Sequence, residues 1–230
     1  MLLRAYVVVS SLLLVVLTTA AFRQNSRPQN LGEITVERIN VVDKDGTLRV
    51  VISNKDRMHP GVIDGATMIR SRPVAGLIFF NDEGDEVGGL TFSGRTVNGE
   101  RRAGGTIMFD QYKQDQTIGF RYQEGGGQRS AALEVWDRSE RSLGDLIKRL
   151  NEVNAISDVA KRDAALQAAR AEAPPAPRRV FVGKNNDRAA AISLADANGK
   201  ARLNLTVDAT GNPRIEFLDE QGKIVQRIPQ

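Results

Sequence analysis

The sequence has no cysteine and a single histidine, and these two scarcities exclude several classes of function. Without cysteine there are no disulfides, no thiolate metal ligands, no cysteine nucleophile and no lipid attachment at an N-terminal cysteine. His59 alone cannot assemble a metal site of the His/Cys type, and beside Pro60-Gly61 it is typical of a solvated loop residue. We therefore expect no metal and no cofactor.

The sequence also lacks a strong excess of one sign of charge, since it has 32 basic and 28 acidic residues and a net charge of +4. A nucleic-acid surface needs several clustered basic groups. The pairs Arg101-Arg102 and Arg178-Arg179 are isolated, so we expect no nucleic-acid partner. With 41% hydrophobic and 26% charged residues, the 230-residue chain has the composition of a folded protein with one or two domains.

Long apolar runs are absent except at the N-terminus. Ala5–Phe22 has 18 residues without a charge, and Thr18–Ala20 supplies small residues that a signal peptidase accepts. That length is close to the roughly 20 residues needed to cross a bilayer as a helix. Residues 1–22 therefore predict a signal peptide or a retained transmembrane helix, and Arg23 and Arg27 favour the retained helix.

Either form of this segment predicts an exported protein of the cell envelope. The body would lie on the extracytoplasmic side, anchored in the inner membrane or free in the periplasm. Residues 23–32 are polar and predict a spacer between the membrane and the first strand.

From residue 33 onwards the dominant pattern is apolar residues at every second position, which is typical of antiparallel sheet. Leu203, Leu205 and Val207 show it most clearly. Asp or Asn three residues before Gly recurs between strands and predicts tight turns, in which the side chain bonds the backbone two residues on. The turns are Asp43–Gly46, Asn81–Gly84, Asp196–Gly199, Asp208–Gly211 and Asp219–Gly222.

The fold prediction is mainly β: an antiparallel meander of about twelve strands in a barrel, sandwich or prism-like form. A larger β-block covers residues 33–137 and a C-terminal meander covers residues 178–230. Between them, residues 138–177 predict one long helix from Ser142 to Ala173 and a Pro-rich linker. Whether the two blocks share one sheet stays open at this point.

The candidate ligand-binding residues lie in the loop after Phe109. Gln111, Tyr112, Gln114 and Gln116 offer planar hydrogen-bonding groups for a sugar or peptide, although a polar hairpin turn is the favoured explanation of this segment. His59 is the further candidate, in a long loop. No catalytic residue is predicted, because the aspartates at turns and the acids Asp82 to Glu86 at a hairpin tip have ordinary structural explanations.

Four stretches resemble an uncharacterised family of bacterial exported β-rich proteins. They are Glu33–Asn54, Leu77–Gly94, Phe109–Phe120 and Phe217–Pro229, about a third of the chain. The resemblance implies export and a β-rich body. It implies no activity, cofactor or catalytic residue.

These expectations combine into a non-enzymatic, membrane-anchored or exported β-protein that binds or scaffolds an envelope protein or polymer. Two alternatives stay open. One is an enzyme that acts on envelope material through paired carboxylates, and the other is a self-assembling structural protein with the 142–173 helix as its contact. The ligand and the oligomeric state do not follow from the sequence.

Overall fold

The computed structural model describes residues 2–24, 30–69 and 71–229. The chain divides into two compact units, residues 1–36 and residues 37–230. The first contains helix α1 (Leu2–Gln24), where the sequence predicts a helix. No helix within the described ranges combines the length and the apolar character that crossing a membrane requires. Residues 25–29 of the predicted spacer lie outside the described residues.

The second unit is built on one antiparallel sheet of twelve strands. The strands of this sheet are β1 (Arg38–Val42), β2 (Leu48–Ser53), β5 (Ala75–Phe80), β6 (Glu86–Val97), β7 (Glu100–Asp110), β8 (Gln116–Gly125), β9 (Gln128–Trp136), β10 (Arg178–Lys184), β11 (Ala190–Ala195), β12 (Ala201–Val207), β13 (Pro213–Leu218) and β14 (Ile224–Ile228). A separate hairpin pairs β3 (Val62–Ile63) with β4 (Ala66–Thr67).

The sheet is a simple meander, as the sequence predicts. Each strand pairs with the next main-sheet strand in the chain, and only the β3–β4 hairpin and the helices interrupt that order. β9 pairs directly with β10, with Leu133 opposite Val182, so the two predicted β-blocks share one sheet. Among the described strands, β1 and β14 are each paired on one side only.

The predicted turn geometry is confirmed at four of the five sites. At Asn81, Oδ1 accepts bonds from the backbone N–H groups of Glu83 at 2.9 Å and Asp85 at 3.0 Å. Asp196, Asp208 and Asp219 repeat this arrangement. At Asp43 the backbone bonds of the same turn form, but the capping carboxylate belongs to Asp45, which accepts from the N–H of Thr47 at 2.9 Å.

The prediction of one long helix from 142 to 173 is wrong. The segment forms two helices, α2 (Gly144–Asn154) and α3 (Val159–Ala171). Asp158 has an extended backbone and its carboxylate accepts a bond from the N–H of Lys161 at 3.0 Å. α2 has already ended at Asn154, and an Asp in this position caps a new helix, so α3 begins directly after Asp158. Leu143, not Ser142, is the residue that precedes α2.

The buried core lies on one face of the N-terminal strands. Val51, Ile78 and Phe80 form a buried cluster against which Met58 packs. A second cluster joins the β3–β4 hairpin to α2 through Ile63, Ala66 and Ile147, with Met68 and Leu143 packed against it. The connection 54–74 thus covers the buried face of the sheet through Met58, while the second cluster packs the two long connections against each other.

Candidate functional site

One apolar residue from every strand of the main sheet lies in a single cross-strand row. Register partners share a face of the sheet, so the row can be followed from strand to strand. From β1 to β14 it runs Ile39, Ile52, Leu77, Leu90, Ile107, Phe120, Leu133, Val182, Ile192, Leu205, Ile215, Ile228. No strand contributes a polar residue to this row.

A second row lies two residues along each strand on the same face. It runs Val41, Val50, Phe79, Gly88, Phe109, Ile118, Val135, Val180, Leu194, Leu203, Phe217, Gln226. Ten of these twelve residues are apolar, and neither row contains a charge. We call the surface that these two rows form the apolar face.

Gly88 is the one glycine in the apolar face. Its φ of 136° is unfavourable for other residues, and a Cβ there would lie 2.2 Å from the carbonyl oxygen of Met108. The rings of Phe79 and Phe109, its register partners, stack across it with centroids 6.4 Å apart. The two rings cover the backbone of Gly88, which is buried, and keep this position apolar.

Within the described part of the second unit, residues 37–230, no element covers the apolar face. Gly88 is the only residue of the two rows that is buried, and the exposed fraction reaches 60% at Phe120 and 54% at Phe109. Two neighbouring hollows of about 720 and 610 Å³ indent the face and meet at Val182. Contiguous apolar surface on this scale marks an interaction site in a folded protein.

The opposite face of the sheet has a different character. In the N-terminal strands it is buried, with Val51 and Ile78 nearly inaccessible. In the C-terminal strands its cross-strand row becomes polar and passes from Ser193 through Asn204 to Glu216. The sheet therefore has one face that is either buried or polar and one that is apolar and open.

The predicted ligand-binding glutamines mainly join parts of the fold. Gln114 is buried and its Nε2 donates to the carbonyl oxygen of Arg141, while Gln111 Nε2 donates to Ser139 O at 3.1 Å. Both amides thus hold the segment before α2 against the β7–β8 turn. Gln116, the first residue of β8, pairs with Asp110.

Tyr112 lies in the same turn and is 59% exposed. Its hydroxyl donates to the carboxylate of Glu83 at 2.9 Å, which ties the β7–β8 turn to the β5–β6 turn. That hydrogen bond raises the pKa of the Tyr112 hydroxyl above its ordinary value. A ligand-binding role for this turn stays a prediction. The exposed ring of Tyr112 is the part of the turn that a ligand could contact.

His59 lies apart from this turn, against the buried core. Its ring meets Phe80 edge-on, with centroids 4.9 Å apart, and its Nδ1 accepts a bond from the N–H of Gly61 at 3.1 Å. Burial lowers the pKa of His59, and the positive charges of Arg38 and Arg72 act in the same direction. The described part of the chain holds no cluster of ligating side chains suited to a metal ion.

A pair of carboxylates on neighbouring strands bears on the enzymatic alternative. Glu86 on β6 is buried and receives two bonds from the guanidinium of Arg72, at 2.9 and 2.6 Å. Asp110 on β7 has a buried oxygen without a hydrogen bond. Burial, followed by the charge of Glu86, raises the pKa of Asp110 to about 8.

Raised carboxyl pKa values are a feature of many active sites, but a substrate also needs a cavity. Neither Glu86 nor Asp110 lines any of the four main cavities of the described chain. Arg72 already occupies both oxygens of Glu86. Glu86 is therefore engaged in a buried ion pair with Arg72.

Comparison with known proteins adds no assignment. No protein-family model matches the chain, and no curated protein is significantly similar to it.

Proposed function

We propose that the protein is a non-enzymatic scaffold of the cell envelope and that its apolar face is the contact surface for a second copy of the chain. The observation that supports the scaffold role is the row of apolar residues that crosses all twelve strands without interruption. The envelope location rests on the apolar segment of residues 1–22, as signal peptide or anchor, and on the resemblance to exported bacterial proteins.

The size of the face fits a dimer. Twelve strands spaced about 4.8 Å apart extend for about 55 Å, and two rows of side chains form a strip about 14 Å wide. The strip therefore offers about 750 Å² to a partner. Each side of a stable interface buries a similar area, about 800 Å².

The shape and the charge of the face favour a second copy over an unrelated protein. Open sheets twist, so a rigid partner has to follow the twist, and an identical sheet does so when the two pack face to face at about 30°. The resulting arrangement would be a sandwich of two sheets, one from each copy. Because neither row carries a charge, a copy meets no like-charge repulsion there.

Single-cysteine crosslinking of the full chain tests the proposal. The chain lacks cysteine, so Val182→Cys introduces the only thiol, in the middle of the apolar face. We expect a short thiol-reactive crosslinker to give a covalent dimer in membranes and in the purified protein. Gln123→Cys is the matched control, since Gln123 is exposed and lies three residues from Phe120 in the regular part of β8, which places it on the opposite face.

Three outcomes would count against the proposal. Equal crosslinking of both variants would indicate random collision. Crosslinking of Val182→Cys to a different protein would replace the second copy with that partner. Protection of the thiol in membranes without any crosslinked protein would indicate that lipid covers the face.

A further inference from the structure

A cavity of about 490 Å³ opens on the polar face of the sheet, between β8 and β12. Its charged and aromatic lining consists of Arg121, Glu134, Trp136, Arg138, Arg178 and Phe181. Three guanidinium groups thus meet one carboxylate. Within the described chain, no second carboxylate lines this cavity.

The carboxylate of Glu134 holds two of the guanidinium groups in place. Glu134 is buried, accepts a bond from Arg178 Nη1 at 2.6 Å, and lies 3.3 Å from Nε of Arg121. Burial of a charged side chain is costly unless it is paired, so Glu134 needs these cations. One negative charge then offsets only one of the three positive charges.

Aromatic rings restrict the same guanidinium groups from the side. Arg121 lies over Trp136 at 5.5 Å and Arg178 lies over Phe181 at 5.0 Å. Contacts of this kind favour one orientation of the cation. The arginine side chains therefore lose less conformational entropy when a ligand binds.

Arg138 supplies the third cation. Its Nε donates to the carbonyl oxygen of Gln116 at 2.6 Å, which fixes the guanidinium while engaging one of its five N–H donors. Within the described residues no carboxylate forms an ion pair with Arg138. Its remaining donors suit the planar, two-point recognition of an oxyanion.

We propose that this cavity binds a small organic anion, whose carboxylate or phosphate group contacts Arg121, Arg138 and Arg178 and whose ring lies against Trp136 or Phe181. The cavity volume falls within the range of about 300–1,000 Å³ that is usual for small-molecule sites. The site lies on the face opposite the apolar face. It is therefore independent of the proposed dimer.

Tryptophan fluorescence of the full chain gives a direct test, because Trp136 is the only tryptophan. The probes are glucuronate, glucose 6-phosphate and inorganic phosphate, with glucose as the neutral control and potassium chloride to hold the ionic strength constant. We expect a saturable change in emission with glucuronate or glucose 6-phosphate and none with glucose. The stronger of the two identifies carboxylate or phosphate as the preferred group.

Matched variants locate the binding. Arg138→Gln removes a cation that has no carboxylate partner among the described residues. We expect the dissociation constant of the organic anion to rise at least tenfold, which is the effect of losing one charge-assisted hydrogen bond. Arg227→Gln, on the same face but outside the cavity, should leave the constant unchanged.

The absence of a saturable response, an equal response to glucose, or equal weakening by both variants would overturn the proposal. Inorganic phosphate that binds as tightly as glucose 6-phosphate would overturn the ring contact with Trp136 or Phe181.

Discussion

Truncation of Phe120 should dissociate the proposed dimer while leaving the monomer folded. Phe120 lies in the middle of the apolar face between Ile107 and Leu133, and it is 60% exposed in the monomer. A phenylalanine offers about 200 Å² of surface, so about 120 Å² of Phe120 is free for a partner to bury. At about 25 cal/mol per Å², this burial contributes about 3 kcal/mol per copy.

The interface of a symmetric dimer contains each residue twice. Phe120→Ala therefore removes up to about 6 kcal/mol of association free energy, an upper limit because part of the buried area is offset by the cost of association. We expect the dimer dissociation constant to rise by a factor of about 10² to 10⁴. The loss of monomer stability should be about 2 kcal/mol or less, since only the smaller part of the ring is covered without a partner.

Sedimentation velocity of the full chain over a concentration series measures the dissociation constant, with the same detergent for every variant. Gln123→Ala is the matched control, because Gln123 is exposed in the same strand but lies on the opposite face. Circular dichroism checks that both variants keep their β-structure. A Phe120→Ala dimer as tight as the wild type would refute the assignment of the apolar face, and so would equal weakening by Gln123→Ala.

Three further predictions concern the fold. The raised pKa of Asp110 means that the folded state holds a proton that the unfolded state loses, so stability should fall between about pH 4 and 8, by up to about 1.4 kcal/mol per pH unit. Asp110→Asn should remove this slope in denaturant unfolding, and an unchanged slope would contradict the buried position. Gly183→Ala places a Cβ 2.2 Å from the carbonyl oxygen of Ala131 and should cost about 1–3 kcal/mol, whereas Gly94→Ala, with only an ordinary contact, should cost little in the same assay. Gln114→Leu leaves the carbonyl of Arg141 without its donor and should speed hydrogen exchange before α2; unaltered exchange would mean that the amide is dispensable.

The order and spacing of the main strands could be predicted from the sequence, because each strand alternates and each turn carries its own signal. The β3–β4 hairpin was missed, since strands of two residues such as Val62–Ile63 are too short to show a period. The break between α2 and α3 did have a signal, because Asp158 is a favoured residue before a helix. The alanine-rich sequence around it favoured one continuous helix.

The candidate sites were harder to predict than the fold, because each depends on register. Alternation shows that a strand has an apolar side, but it does not show that twelve such sides align or that no other element covers them. The pairing of Trp136 with Arg178 likewise joins residues that are separated by two helices. The sequence shows the glutamines of the β7–β8 turn as candidate ligand-binding groups. In the structure, Gln111 and Gln114 donate hydrogen bonds to backbone carbonyls within the protein.

The difference between the two halves of the sheet gives the proposed dimer a structural role. In the N-terminal strands the opposite face is buried under the connections that hold Met58, so these strands already have a core. The strands β10 to β14 contribute Val182, Leu205 and Ile215 to the apolar face, while their other face is polar. None of these three side chains is buried in the monomer. A sheet without a buried face gains little hydrophobic stabilisation, so the C-terminal strands depend most on the second copy.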